Sequence, residues 1–145
     1  MNIKDRFLEY ADAFEITYED NDWSRLEPFF TEGAVYETPP SELFGESASG
    51  LAAVMAKLER SINGFDRLMD TRVLELTPPI TEGDTVRTNW TSSYSKSGVP
   101  DLKLGGIEYA RFEGDRIALL RDEPDPGTEE ELASWLAQHG ESLSK

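Results

Sequence analysis

Phe7, Tyr10, Ala11, Phe14 and Tyr18 recur at helical spacing, and Lys4, Asp5, Glu9, Asp12, Glu15 and Glu19 occupy the remaining surface. The chain therefore opens on a half-buried helix. Asp22 is placed to cap a second, shorter helix carrying Trp23, Leu26 and Phe30, which Pro28 kinks or shortens. Residues 40–49 have loop composition, with Leu43 and Phe44 as large apolar members, the make-up of a lid. Leu51, Val54, Met55, Leu58 and Ile62 mark a third amphipathic helix ending at Asn63-Gly64. From Phe65 the period changes from helical to alternating, with β-branched and aromatic residues frequent. This predicts strands at about 67–76, 85–95, 103–112 and 116–123, joined by a loop through Pro78-Pro79, a turn at Ser97-Gly98-Val99-Pro100 and a hairpin at Gly114-Asp115. Gly105-Gly106 inside the third strand predicts a bulge or bend where the sheet curls into a cone. Finally, Thr128-Glu129-Glu130-Glu131 reads as a capping box, opening a terminal helix with Leu132, Trp135, Leu136 and His139 on one face.

Helices first, then strands joined by hairpin-length connections, predict a segregated α+β domain with a curved antiparallel sheet. One domain accounts for all 145 residues, with a core over about 3–124 and a C-terminal helix over about 128–140. Two stretches carry a family resemblance: Asp22 to Pro39, and Tyr109-Ala110-Arg111-Phe112-Glu113-Gly114-Asp115-Arg116-Ile117. Together with the order of elements they resemble the nuclear transport factor 2-like proteins of the SnoaL-like branch. The resemblance implies a cone-shaped sheet whose mouth is closed by helices around a pocket. It implies no single activity, because that fold hosts isomerases, cyclases, dehydratases, epoxide hydrolases and binding modules.

Composition narrows the partners. With 14 Lys and Arg against 29 Asp and Glu, the formal charge of -15 repels phosphate backbones and anionic lipid, so neither nucleic acid nor membrane is an expected partner. The absence of cysteine excludes disulfides, thiolate nucleophiles and cysteine-ligated metals. The charged start and the lack of a long apolar run predict a cytoplasmic protein. The resemblance implies a homodimer, because the outer face of the family's sheet is commonly covered by a second copy. Trp135 and Leu136 give the terminal helix apolar surface in excess of what one chain is expected to need.

No histidine pair, calcium loop, glycine-rich phosphate cradle or nucleophile elbow is present, so no metal or cofactor is expected. The single histidine, His139, falls on the inner stripe of the terminal helix, where packing is the simpler role. Carboxylates in an apolar pocket remain, because burial turns them into bases or neutral acids. Asp122 shares strand parity with Ala118 and Leu120, and by count from the last hairpin it falls where SnoaL-like polyketide cyclases carry their general acid and base. The plainer reading is a solvated strand end, Asp122-Glu123. Compared with the ketosteroid isomerases, Phe14 and Thr38 replace the oxyanion tyrosine and the base, and only Glu108, at the protonated acid, keeps a carboxyl group. Glu108 is then either a buried neutral donor or the partner of an arginine such as Arg87. The epoxide hydrolase pattern is met only by Asp70-Thr71-Arg72, in reverse order and on an earlier strand. Tyr18, Tyr36 and Trp90 are the expected pocket aromatics, since their polar atoms need partners inside, and the expected ligand is a small hydrophobic molecule. Two readings stay open: an enzyme of the cyclase, isomerase or hydrolase type using Asp122 with Tyr18 or Glu108 as donor, and a non-catalytic binding or interaction module.

Overall fold

The computed structural model describes residues 2–41 and 43–144. Helix α1 (Ile3–Asp20) starts where the Asn2 side chain accepts the amides of Lys4 and Asp5. It stops at Asn21, whose φ of 61° ends the ladder and whose Oδ1 accepts Trp23 Nε1 at 2.7 Å. The expected second helix is a 3₁₀ turn, Trp23–Phe29, with Pro28 inside it. Asp22 does not cap it through its side chain, which accepts the Ser24 hydroxyl instead. Strands β1 (Phe30–Glu37) and β2 (Ala48–Ser49), helix α2 (Leu51–Gly64), and strands β3 (Thr71–Leu76), β4 (Ile80–Glu82), β5 (Thr85–Lys96), β6 (Val99–Glu113) and β7 (Arg116–Pro124) follow, then helix α3 (Thr128–His139).

The strands form one sheet in the order β2-β1-β7-β6-β5-β3, with β4 pairing β5 beside β3. Every pairing is antiparallel except β1 with β7, so the sheet is mixed and not wholly antiparallel as expected. A helix and five strands intervene between β1 and β7, and a crossover of that length leaves the last pairing free to run parallel. The expected strand at 67–76 begins only at Thr71, because Asp66–Leu68 forms a 3₁₀ turn. β5 and β6 run longer than expected and shrink their connection to Ser97-Gly98, with Gly98 at φ 88°.

Gly105-Gly106 makes no bulge: β6 passes through it in unbroken register, Trp90 opposite Gly106 and Thr91 opposite Gly105. The glycines serve close approach instead. A Cβ on Gly106 would lie 2.6 Å from the Glu123 carbonyl and 2.8 Å from the Trp90 ring, and one on Gly105 would lie 2.9 Å from the Asp125 carboxylate. Register shifts fall elsewhere, between Arg111 and Phe112 and between Tyr94 and Lys96.

Two apolar clusters hold the layers together. Phe7, Tyr10, Leu26, Phe30, Val54, Leu58, Ile117 and Leu120 join α1 and α2 to one half of the sheet. Tyr94, Leu102, Leu104, Leu132 and Trp135 join α3 to the other. Thr128 is the first residue of α3 and no cap; its hydroxyl donates to the Gly105 carbonyl at 3.3 Å, and Trp135 Nε1 donates to the Pro100 carbonyl at 3.0 Å. Trp135 is thus buried on its own sheet, and the surplus apolar face expected for α3 is consumed within the chain. His139 stacks on Trp135, ring centroids 5.5 Å apart. No helix among the described residues is long and apolar enough to cross a membrane.

Candidate active site

Alternation along the strands puts a definite set of side chains on the concave face, and the register lines them up in rows. Val86, Ala110, Leu120 and Tyr36 form one row; Thr88, Glu108 and Asp122 the next; then Leu76, Trp90, Gly106 and Pro124; then Leu74, Ser92 and Leu104; finally Arg72, Tyr94 and Leu102. The faces of α1 and α2 and the start of α3 close over these rows, enclosing a cavity of about 470 Å³. Its floor is apolar in the middle and polar toward two ends.

At one end Glu108 and Asp122 sit directly opposite each other on β6 and β7. Tyr36 on β1 donates its hydroxyl to Asp122 Oδ2 at 2.5 Å. Burial raises the pKa of both carboxyls, and it raises Glu108 most, because Asp122 is held down by hydrogen bonds from Glu108 and Tyr36 and by the charge of Lys57. Glu108 has no such support and keeps its proton while Asp122 is the first of the pair to ionise. Burial, then the charge of Asp122, also holds Tyr36 protonated. Three polar atoms of the cavity wall, Asp122 Oδ1, Thr38 Oγ1 and Trp90 Nε1, are buried with no hydrogen-bond partner. Unsatisfied buried groups of this kind are costly, and all three belong to residues that line this one cavity.

Behind Tyr36 lies Lys57 of α2, 5% exposed, its ammonium 5.3 Å from the ring. It donates to the carbonyls of Phe44 at 2.6 Å and Glu46 at 2.8 Å, pinning the expected lid over the cavity. At the far end Arg72 of β3 donates through Nε to Asp66 Oδ2 at 2.7 Å and through Nη1 to Glu15 at 2.9 Å, and Tyr94 donates to the same Asp66 oxygen at 3.2 Å. These bonds tie α1, the 3₁₀ turn after α2 and two strands to one guanidinium.

The sequence matches the SnoaL-like domain family over residues 8–120. The chain belongs to that family. No curated protein matches it in sequence. Among solved structures, it is similar to TerC co-crystallised with polyporic acid, at 14% identity and a TM-score of 0.67 over 89% of this chain and 98% of that one. A nuclear transport factor 2-like protein of Burkholderia pseudomallei aligns at 15% identity, TM-score 0.69, over 93% and 98% of the two chains. A protein of ketosteroid isomerase-like fold from Catenulispora acidiphila, in complex with trimethylamine, aligns at 17% identity, TM-score 0.63, over 91% and 92%. These likenesses establish the fold.

Within this SnoaL-like domain Asp122, Glu108, Tyr36 and Trp90 all line the cavity, whereas Tyr18 does not. Tyr18 is one turn too far along α1; its ring covers the Arg72 guanidinium from outside at 4.6 Å, leaving Tyr36 as the tyrosine that meets Asp122. Asp122 is not a solvated strand end, and Arg87 turns outward to Glu82 at 3.3 Å, which removes it as a partner of Glu108. Phe14 is half-buried and lines the cavity. Sequence reading missed Lys57 and Asp66. Lys57 had a signal, since it falls three residues after Val54 on the buried stripe of α2, whereas Asp66 lies in a 3₁₀ turn without periodicity.

Proposed function

We propose that this SnoaL-like domain binds a small, largely apolar molecule in the cavity and moves a proton on it, with Asp122 as base and Glu108 as neutral donor. The reading is carried by the directly opposed carboxyl pair at the end of an apolar cavity, one member held by a tyrosine and the other driven to stay protonated by burial. An apolar wall supplies affinity, while a carboxylate in low dielectric is a stronger base toward a carbon acid than one in water. A carbonyl on the ligand would take over the Glu108 hydrogen bond now made to Asp122, and the Asp122 carboxylate so released would take the proton from the adjacent carbon, so that negative charge developing on the oxygen is met by a donor. The ligands of the TerC and Catenulispora proteins support a pocket of this kind for small organic molecules. The domain acts as a homodimer in the cytoplasm in this reading.

The experiment is exchange of the α-hydrogens of tetralone in deuterated water, followed by NMR. The wild-type chain should accelerate exchange, and Asp122→Asn should lower the rate by about two to four orders of magnitude while changing tetralone affinity far less. Binding without accelerated exchange would make the domain a binding module.

A further inference from the structure

We propose that the Asp66, Arg72 and Tyr94 cluster is a second binding pole, selecting flat conjugated ligands that carry a hydrogen-bond donor, a hydroxyl or amino group, at the end away from Asp122. The inference rests on the cavity being the ligand site, but not on proton transfer.

The cluster is built into the cavity wall. Asp66 is 8% exposed and Arg72 keeps only 3% of its side-chain surface, yet both line the cavity, as does Tyr94. Arg72 Nε and the Tyr94 hydroxyl both go to Asp66 Oδ2. Both side-chain donors go to Oδ2, and Asp66 lines the cavity, so its Oδ1 is the oxygen we assign to a donor on the ligand. Arg72 cannot serve as an anion receptor, because its charge is already met by Asp66 and Glu15. The pole therefore offers an acceptor with a negative charge behind it. A donor suits it, and a carboxylate or phosphate does not.

The space between the poles sets the rest of the ligand. Six residue steps along β5 separate Thr88, in the Asp122 row, from Tyr94, about 20 Å of backbone that the concave side shortens. Between them Trp90 lies across Gly106, where no Cβ fits, with Leu76, Leu74 and Leu104 beside it. An indole laid over bare backbone is a flat floor, and it favours a flat ring system lying on it. A molecule held at both ends and stacked in the middle is oriented, which a reaction at Asp122 requires.

The test is titration of the wild-type chain with three rigid probes, read by tryptophan fluorescence and checked by calorimetry: para-hydroxybiphenyl, dihydroxybiphenyl with a hydroxyl at each end, and the monomethyl ether of the latter. The diol should bind about tenfold more tightly than the monol, and the ether, which lacks the second donor, should fall back to the monol. Asp66→Asn should erase the advantage of the diol and leave the monol unchanged. Should that variant fail to fold, the diol and ether comparison on the wild-type chain decides alone. A monol that binds as well as the diol, or an ether that equals the diol, overturns the second pole while leaving the cavity reading intact. Failure of all three probes to bind overturns both.

Discussion

Glu108 makes the clearest pH signal in the molecule, because burial and the neighbouring Asp122 hold its proton well above the ordinary carboxyl range. A carboxyl whose folded pKa lies above its unfolded value contributes stability that is fully present below about pH 4, and that stability is lost as pH rises through the folded value. Glu108→Gln is neutral at every pH, so it should match the wild type near pH 4 and melt higher at pH 8, by roughly 3 °C or more. Equal gains at both pH values in thermal denaturation would show that Glu108 does not titrate within the fold. Gly106 gives a second residue-scale expectation. A Cβ there meets the Glu123 carbonyl and the Trp90 ring inside contact distance, and the backbone carbonyl cannot swing away as a side chain would. Gly106→Ala should cost about 2–3 kcal/mol in urea denaturation and shift the tryptophan emission of the folded state.

Among the elements, the loop over the cavity depends on α2 through one side chain. Lys57 is buried and satisfies two loop carbonyls, and its amine is pushed below the ordinary lysine range by desolvation. Lys57→Met keeps the volume and leaves both carbonyls without a donor. Amide exchange across residues 43–49 should then quicken by about tenfold while the global transition moves little, in hydrogen-exchange mass spectrometry against thermal melting. An unchanged exchange rate would show that the loop is held by Leu43 and Phe44 alone. Element by element, what could be read in the sequence follows periodicity. α1, α2, α3 and the antiparallel run β5-β6-β7 repeat at 3.6 or 2 residues, Asp122 follows from parity with Ala118 and Leu120 and its count from the last hairpin, and Glu108 follows from the resemblance to the ketosteroid isomerases. β1 was not readable, because its pairing to β7 advances five residues, from Phe30 to Val35, against two on the other strand, which breaks the alternation. Asp66 sits in a 3₁₀ turn, and its place against Arg72 and Tyr94 follows only from three elements meeting.

For the molecule as a whole, the outer face of the sheet is the unassigned surface. Thr85, Tyr109, Arg111, Leu119, Arg121 and Glu123 line a shallow groove there, with charges of both signs, and Arg121 bridges to Glu37 and Glu123. Mixed charge on one face can be self-complementary across a two-fold axis, and with α3 buried on its own sheet this is the face on which the proposed homodimer would form. Light scattering at micromolar concentration should give the mass of two chains; a single-chain mass would remove the dimer. The parallel seam between β1 and β7 has a consequence for the order of assembly. Tyr36 and Asp122 are 86 positions apart in the chain, and Tyr36 reaches Asp122 only across that seam. As the ribosome releases the polypeptide, α1, β1 and α2 emerge first and the β5-β6 hairpin can zip on its own, yet Tyr36 waits for β7. The Tyr36–Asp122 end of the cavity is therefore assembled only once β7 has emerged, with α3 alone still to follow, and a nascent chain halted before β7 carries a hairpin and helices but no acid pair.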